Sequence, residues 1–200
     1  RHAKVMYDLL GELGQDVAAH VGTHNQSFAR RLDDSEADIG TARVASDKRV
    51  NIFYYPIDTW ADFVMFNFCM DRGAGHQLED VRQCSYGPWA RAIEGIFKEE
   101  KFHIRHGEVW VRRLAEDPAT RDEAQATLNK WYVRTMNIFG RPGSAKNAVY
   151  RTYRLKVRDN DEVRQTFATE VKEKAAAVGL TVPEWVPVWD RLPEEAQIPG

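Results

Sequence analysis

The chain has 200 residues, 43% of them apolar, with a formal net charge of −2 and a pI near 6.3. That length and apolar content suffice for one core, in a single domain spanning residues 1–200. The balanced charge offers no basic field for nucleic acid or for a polybasic membrane surface, so protein or small-molecule partners are expected.

Cys69 and Cys84 have neither metal-ligand spacing nor the numbers of a disulfide framework, which fits a reduced, cytoplasmic setting. No apolar run approaches the roughly 18 residues of a membrane span. The chain opens on Arg1-His2 inside a helical pattern, so a preceding N-terminal part with one or more helices is expected.

From His2 to Leu13, Met6, Leu9, Leu10 and Leu13 recur at helical spacing with His2 on their face, and Gly14 is a plausible stop. His2 reads either as an inward imidazole or as a frayed end. Gly22 to Asp58 is long, polar and poorly periodic, with a short helix expected around Phe28 to Leu32, and a connection of that length is usually functional. The run Ile52-Phe53-Tyr54-Tyr55-Pro56 should anchor its far end on the core, and Asp58 or Thr59 can cap the next helix.

That helix, Thr59 to Asp71, is apolar almost all round and therefore central. Asp71 shares a stripe with Trp60, Val64 and Asn67, so it faces the core if the helix continues through Gly73 and Gly75; otherwise Asp71-Arg72-Gly73 is a solvated helix end.

In Ser85 to Trp110 and beyond, a period of about 100° per residue aligns Trp89, Ile93, Ile96, Phe97, Ile104, Val111 and Leu114. Glu100, His103 and Gly107 fall inside that stripe, whereas Lys98, Lys101 and Arg105 project oppositely and Glu99 and His106 sit on the flank. A helix follows over Asp122 to Phe139, ended by Gly140-Arg141-Pro142-Gly143; another, capped by Asn160 or Asp161, covers Val163 to Val178 and is closed by Gly179. From Thr181 the proline-bearing tail is extended, and no strand pair is convincing. The expected fold is all-α, a helical bundle with one long crossover.

An inward carboxylate and an inward imidazole need partners. Glu100-x-x-His103 has the form of a half-site of ferritin-like di-iron carboxylate proteins, in which two such pairs and two further carboxylates converge on the metals. A plain Glu–His hydrogen bond satisfies the pair equally well. His2, Asp71, Glu100 and His103 together place four candidate metal ligands on three apolar faces, with two carboxylates expected upstream of residue 1. Lys146, Arg151, Arg154, Lys156 and Arg158, among Tyr150, Tyr153 and Leu155, read as a phosphate-holding patch for a ligand such as coenzyme A or as a solvated face. Nucleophile-elbow, Gly-rich phosphate-loop and Walker motifs are all missing from the sequence.

Tyr55-Pro56, Trp60-Ala61-Asp62, Ser85-Tyr86-Gly87-Pro88, Ala90-Arg91-Ala92, Lys98-Glu99-Glu100, Phe102-His103, Phe139-Gly140, Arg164-Gln165 and Gly179-Leu180-Thr181-Val182-Pro183 carry a wider likeness. Through them the chain resembles the PaaA family, the catalytic components of multicomponent phenylacetyl-CoA epoxidases in bacterial phenylacetate degradation. The resemblance implies a ferritin-like bundle with a di-iron centre that activates O2 and epoxidises the aromatic ring of phenylacetyl-CoA or a related aryl-CoA thioester. It implies His2 as the histidine of the first Glu-x-x-His, Asp71 as a helix carboxylate, and Glu100 with His103 as the second pair. Lys48, Asn51 and Lys156 fall where the family contacts coenzyme A. The implied partners are a flavin or iron–sulfur reductase, a small subunit, plus a second ferritin-like subunit, with no organic cofactor in this chain. Arg72 to Asp80 is more polar than in the family and Ser35 to Asp47 looks enlarged, which leaves the acyl group open. The rival expectations are a di-iron oxygenase acting on another acyl-CoA and a non-catalytic ferritin-like structural subunit.

Overall fold

Thr59 starts the central helix of the bundle. Its hydroxyl accepts from the Asp62 N–H at 3.0 Å, and the Asp62 carboxylate accepts from the Thr59 N–H at 3.3 Å, a reciprocal cap. The computed structural model describes residues 2–19, 52, 55–187 and 189. Among these lie α1 (His2–Glu12), α2 (Trp60–Phe66), a π-turn (Asn67–Asp71), α3 (Arg72–Val81), α4 (Gly87–Glu116), α5 (Arg121–Met136), a 3-10 turn (Asn137–Phe139), α6 (Ala145–Thr152) and α7 (Asn160–Ala176). The protein is all-α, as expected, and no strand occurs among the described residues.

The chain between Thr59 and Val81 is continuous helix, so Asp71-Arg72-Gly73 is not a helix end. The difference from the expected single helix is the π-turn, which takes one extra residue per turn and rotates everything after it relative to Trp60. Trp60 is half exposed at the surface, whereas Val64 and Asn67 are buried and Asp71 is partly buried.

α4 packs against α1, α2, the π-turn, α3 and α5. Its approach to the π-turn is so close that a Cβ built on Gly107 would lie 2.6 Å from the Phe68 backbone nitrogen and 2.9 Å from the Asn67 carbonyl carbon. Only glycine permits that distance. Behind the π-turn, Val64, Met65, Phe68 and Cys69 pack with Leu128, Trp131, Phe167 and Val171 from α5 and α7 in one core. Ile52 joins this core, as expected for the far end of the crossover.

Arg72, the first residue of α3, is buried to 1% exposure and ties the turn to two other helices. Its Nε donates to the Phe68 carbonyl at 3.3 Å, inside the π-turn. One terminal nitrogen donates to Glu108 of α4 at 3.0 Å, and the other to Glu170 of α7. Lys174 Nζ stands 2.9 Å from Glu108, and His76 Nε2 lies 2.7 Å from Glu170. The His76 hydrogen bond holds the Glu170 carboxyl down at about 2 despite burial, with Arg72 adding to the effect.

The other caps differ in detail from expectation. Asp159, rather than Asn160 or Asp161, caps α7 by accepting from the Asp161 N–H, and Glu162 reciprocates. The expected Asp122 to Phe139 helix ends at Met136 and tightens into the 3-10 turn before Gly140, whose φ of 83° closes it. α6 was not anticipated, because its apolar positions are few and its face is half solvated. Residues 181–187 carry no helix or strand, and the Phe28 to Leu32 helix and Ser35 to Asp47 lie outside the described residues.

Two glycines of α4 give a paired test. Gly95 faces open space, so Gly95→Ala should raise stability by up to about 1 kcal/mol through helix propensity alone. Gly107→Ala should lower it by about 1–3 kcal/mol, because the added methyl meets backbone rather than a side chain that can move. Urea unfolding of the two variants beside the parent checks this, and shifts of the same sign contradict the close approach.

Candidate metal centre

The π-turn ends at Asp71 and directs its carboxyl across to α4, where Glu100 and His103 sit one helical turn apart. One ligand atom from each of the three lies within 4.8 Å of the others. Glu100 is the deepest of the α4 pair, with its side chain 13% exposed, and His103 is 47% exposed with Nδ1 3.6 Å from Glu100 Oε2. The expectation that His103 points into the core is therefore only partly met. Nearly half of its side chain is open to solvent.

His2 reaches the same place from α1. Its Nδ1 is 3.9 Å from Glu100 Oε1, and its Nε2 is 2.7 Å from Glu99 Oε2. Glu99, placed on the flank by the helical phase, thus partners His2 without joining the three-residue cluster. An Asp71–Glu100 pair is electrostatically poor by itself. Burial first, and then the neighbouring Glu100 carboxylate, push the Asp71 carboxyl up to about 7.

A cation removes that penalty, since it favours the ionised form of both acids at once. Two carboxylates and an imidazole, with His2 beside them, form an oxygen-rich donor set with one or two nitrogens, suited to iron or manganese and unlike a thiolate zinc site. The residues present therefore fit a metal. Cys69 is not among them: it is fully buried, and burial pushes its thiol up to about 12.

The cluster opens onto a cavity of about 640 Å³, lined also by Met6, Phe66, Met70, Ala74, Gln77, Leu78, Val81, Trp89, Ile96 and Lys156. Its walls are mainly apolar. Lys156 is the one member of the basic run that lines this cavity. Burial lowers its pKa, Asp80 opposes that, and Arg158 reinforces it. Arg158 instead bonds Asp80 at 3.1 Å and the His76 carbonyl at 3.0 Å, while Arg151 and Arg154 are exposed, so most of the run is surface and scaffold. Lys48 and Asn51 lie outside the described residues.

Sequence reasoning missed the π-turn, the Arg72 clasp and Gln77. The glycines at 73, 75 and 107 were the available signal: a Cβ at Gly73 would meet Ile138 and Thr135 at 2.9 Å, and one at Gly75 would meet Ile104 at 3.0 Å. Glycines repeated inside helices mark close approach to a neighbour.

Comparison with known proteins gives a consistent picture. Residues 2–191 match the family model described as phenylacetic acid catabolic protein. The chain is 32% identical over 177 residues to the A subunit of the 1,2-phenylacetyl-CoA epoxidase of Escherichia coli (strain K12), covering 85% of this chain and 56% of that protein. It is 29% identical over 123 residues to the benzoyl-CoA oxygenase component B of Aromatoleum evansii, covering 52% of this chain and 26% of that protein. The chain thus spans about half the length of the first relative and a quarter of the second. Among the described residues no helix is long and apolar enough to cross a membrane.

The Asp71 carboxyl makes the metal-free protein sensitive to pH in a defined direction. With a folded value of about 7 against an ordinary 3.8, the folded state holds the extra proton between those values. This group's contribution to stability is therefore fully present below about pH 4 and lost as pH rises through 7. Asp71→Asn removes it, so the variant's stability relative to the parent should climb from pH 4 to pH 7.5 in chelator-treated samples. A difference that stays constant over that range in urea titrations contradicts the assignment.

Proposed function

The chain belongs to the phenylacetic acid catabolic protein family, and from that premise we propose that it is the oxygenating part of a monooxygenase subunit that epoxidises the aromatic ring of phenylacetyl-CoA or a related aryl-CoA thioester. We read residues 1–200 as one ferritin-like domain, with Asp71, Glu100, His103 and His2 as ligands of a di-iron centre. The observation that carries this reading is the convergence of Asp71, Glu100 and His103 on the lining of a largely apolar cavity, with a lysine on the same lining.

Bound there, two irons would supply the activation of O2, with electrons drawn from a separate flavin or iron–sulfur reductase. This chain's own residues do the rest. Asp71 and Glu100 provide the negative charge that retains the cations, and Glu170 and Glu108, through Arg72, hold the turn that carries Asp71. Phe66, Met70, Leu78, Trp89 and Ile96 give an aryl ring an apolar seat and exclude water from the reacting face. Lys156 supplies a positive charge for the phosphorylated end of the thioester, with Lys48 and Asn51 as further contacts on the same reading. A small subunit together with a second ferritin-like one completes the proposed complex, in the cytoplasm.

The acyl group admits a second reading. The likeness to a benzoyl-CoA oxygenase component favours testing a shorter aryl-CoA beside phenylacetyl-CoA. Full-length protein, reconstituted with iron, partner subunits and reductase, should consume O2 in response to one of the two thioesters and form an oxygenated ring product. Equal inactivity with phenylacetyl-CoA, benzoyl-CoA and an aliphatic acyl-CoA would overturn the proposal.

A further inference from the structure

Among the described residues, Gln77 is the one amide side chain on the cavity lining. Its Nε2 donates to the Ile138 carbonyl at 3.1 Å, and that partner fixes which way the amide lies. A carbonyl oxygen can only accept, so the NH2 must face Ile138 and Oε1 must turn away from it. No donor among the described residues reaches Oε1. The neighbouring cavity residues of α3 are Ala74, Leu78 and Val81, so Gln77 is the polar member of an otherwise apolar stretch of that helix. A ligand that fills the cavity leaves it unsatisfied unless the ligand brings a hydrogen-bond donor.

The helix sets where that donor must be. Six residues separate Asp71 from Gln77, about 9 Å of helical rise. Asp80, whose charge acts on Lys156, stands about 13 Å from Asp71 on the same scale. A thioester entering ring first therefore runs along α3 from the Lys156 end toward the carboxylates. Between the ring carbon of an arylacetyl thioester and its cysteamine nitrogen there are six bonds of about 1.5 Å, about 7 to 8 Å when extended. That nitrogen carries an N–H, the donor nearest to the ring in a coenzyme A thioester.

We propose that Gln77 accepts a hydrogen bond from the cysteamine amide N–H of an acyl-CoA and so sets how deeply the acyl group enters the cavity. The inference rests on the coenzyme A thioester reading above and adds to it a residue that discriminates by distance. A free aryl acid lacks the donor, and a longer acyl chain puts it out of register with Gln77 when the ring reaches the carboxylates.

The test is calorimetric binding to the full-length protein with its partner subunits and without reductase. The two probes are phenylacetyl-CoA and its analogue in which an ester oxygen replaces the cysteamine N–H. The parent should bind the ester analogue about tenfold more weakly. Gln77→Leu should bind both probes alike, whereas Gln77→Glu, which keeps an acceptor at that position, should retain a preference for the amide. Loss of the preference in Gln77→Leu with retention in Gln77→Glu is not produced by a general loosening of the fold. Equal binding of the two probes by the parent, or an unchanged ratio in Gln77→Leu, overturns the role of Gln77 while leaving the thioester site standing. Failure of the parent to bind either probe overturns the thioester site, and the role of Gln77 with it.

Discussion

No side chain fits between α4 and the π-turn at Gly107, and the site follows from that closeness. With the Phe68 backbone nitrogen 2.6 Å from where a Cβ would stand, two helix backbones meet without the usual layer of side chains. One turn before that point α4 carries His103, and two turns before it Glu100; one turn after it the other helix carries Asp71. The contact therefore fixes the separation of the acids on both helices. The extra residue of the π-turn does the complementary job by rotating Asp71 toward α4.

Arg72 ties the π-turn to two other helices. Its Nε takes the Phe68 carbonyl, and its guanidinium spreads over Glu108 and Glu170, whose further partners Lys174 and His76 complete a charge-balanced cluster. Removing one member of a buried ionic group strands the others, which makes the clasp costly to break. On the opposite side of the same turn the balance is incomplete. Asp71 and Glu100 face one another with no arginine or lysine among the described residues bonded to either, and burial together with the Glu100 charge pushes the Asp71 carboxyl up. The two carboxylate groups next to the π-turn thus have opposite characters: hydrogen bonds hold Glu170 low, while burial and Glu100 push Asp71 up.

Much of this was legible in the residues. The stripe through Trp89, Ile93, Ile96 and Phe97 separated Glu100 from Glu99 correctly, since one faces the cluster and the other does not. The all-helical architecture followed from periodicities of three to four and from caps such as Thr59. What escaped was set by tertiary contact. Periodicity assumes a constant helical pitch, so the π-turn at Asn67–Asp71 could not be read from it, and Trp60 was placed on the same face as Asp71 although it is half exposed. Arg72 looked like part of a helix end because nothing local reveals partners 36 and 98 residues away. His103 was expected deeper than it lies, because a stripe gives direction and not depth.

The central claim is that Asp71, Glu100 and His103 form a metal site rather than a hydrogen-bonded polar cluster. Anaerobic titration of full-length, chelator-treated protein with ferrous iron, followed by iron analysis after desalting, addresses it directly when Glu100→Ala is run alongside. The account predicts about two irons retained per chain by the parent, and retention lost in the variant while its helical circular dichroism is unchanged. Iron retained equally by both proteins would contradict the ligand assignment, and less than about one iron per chain in the parent would contradict the metal centre itself.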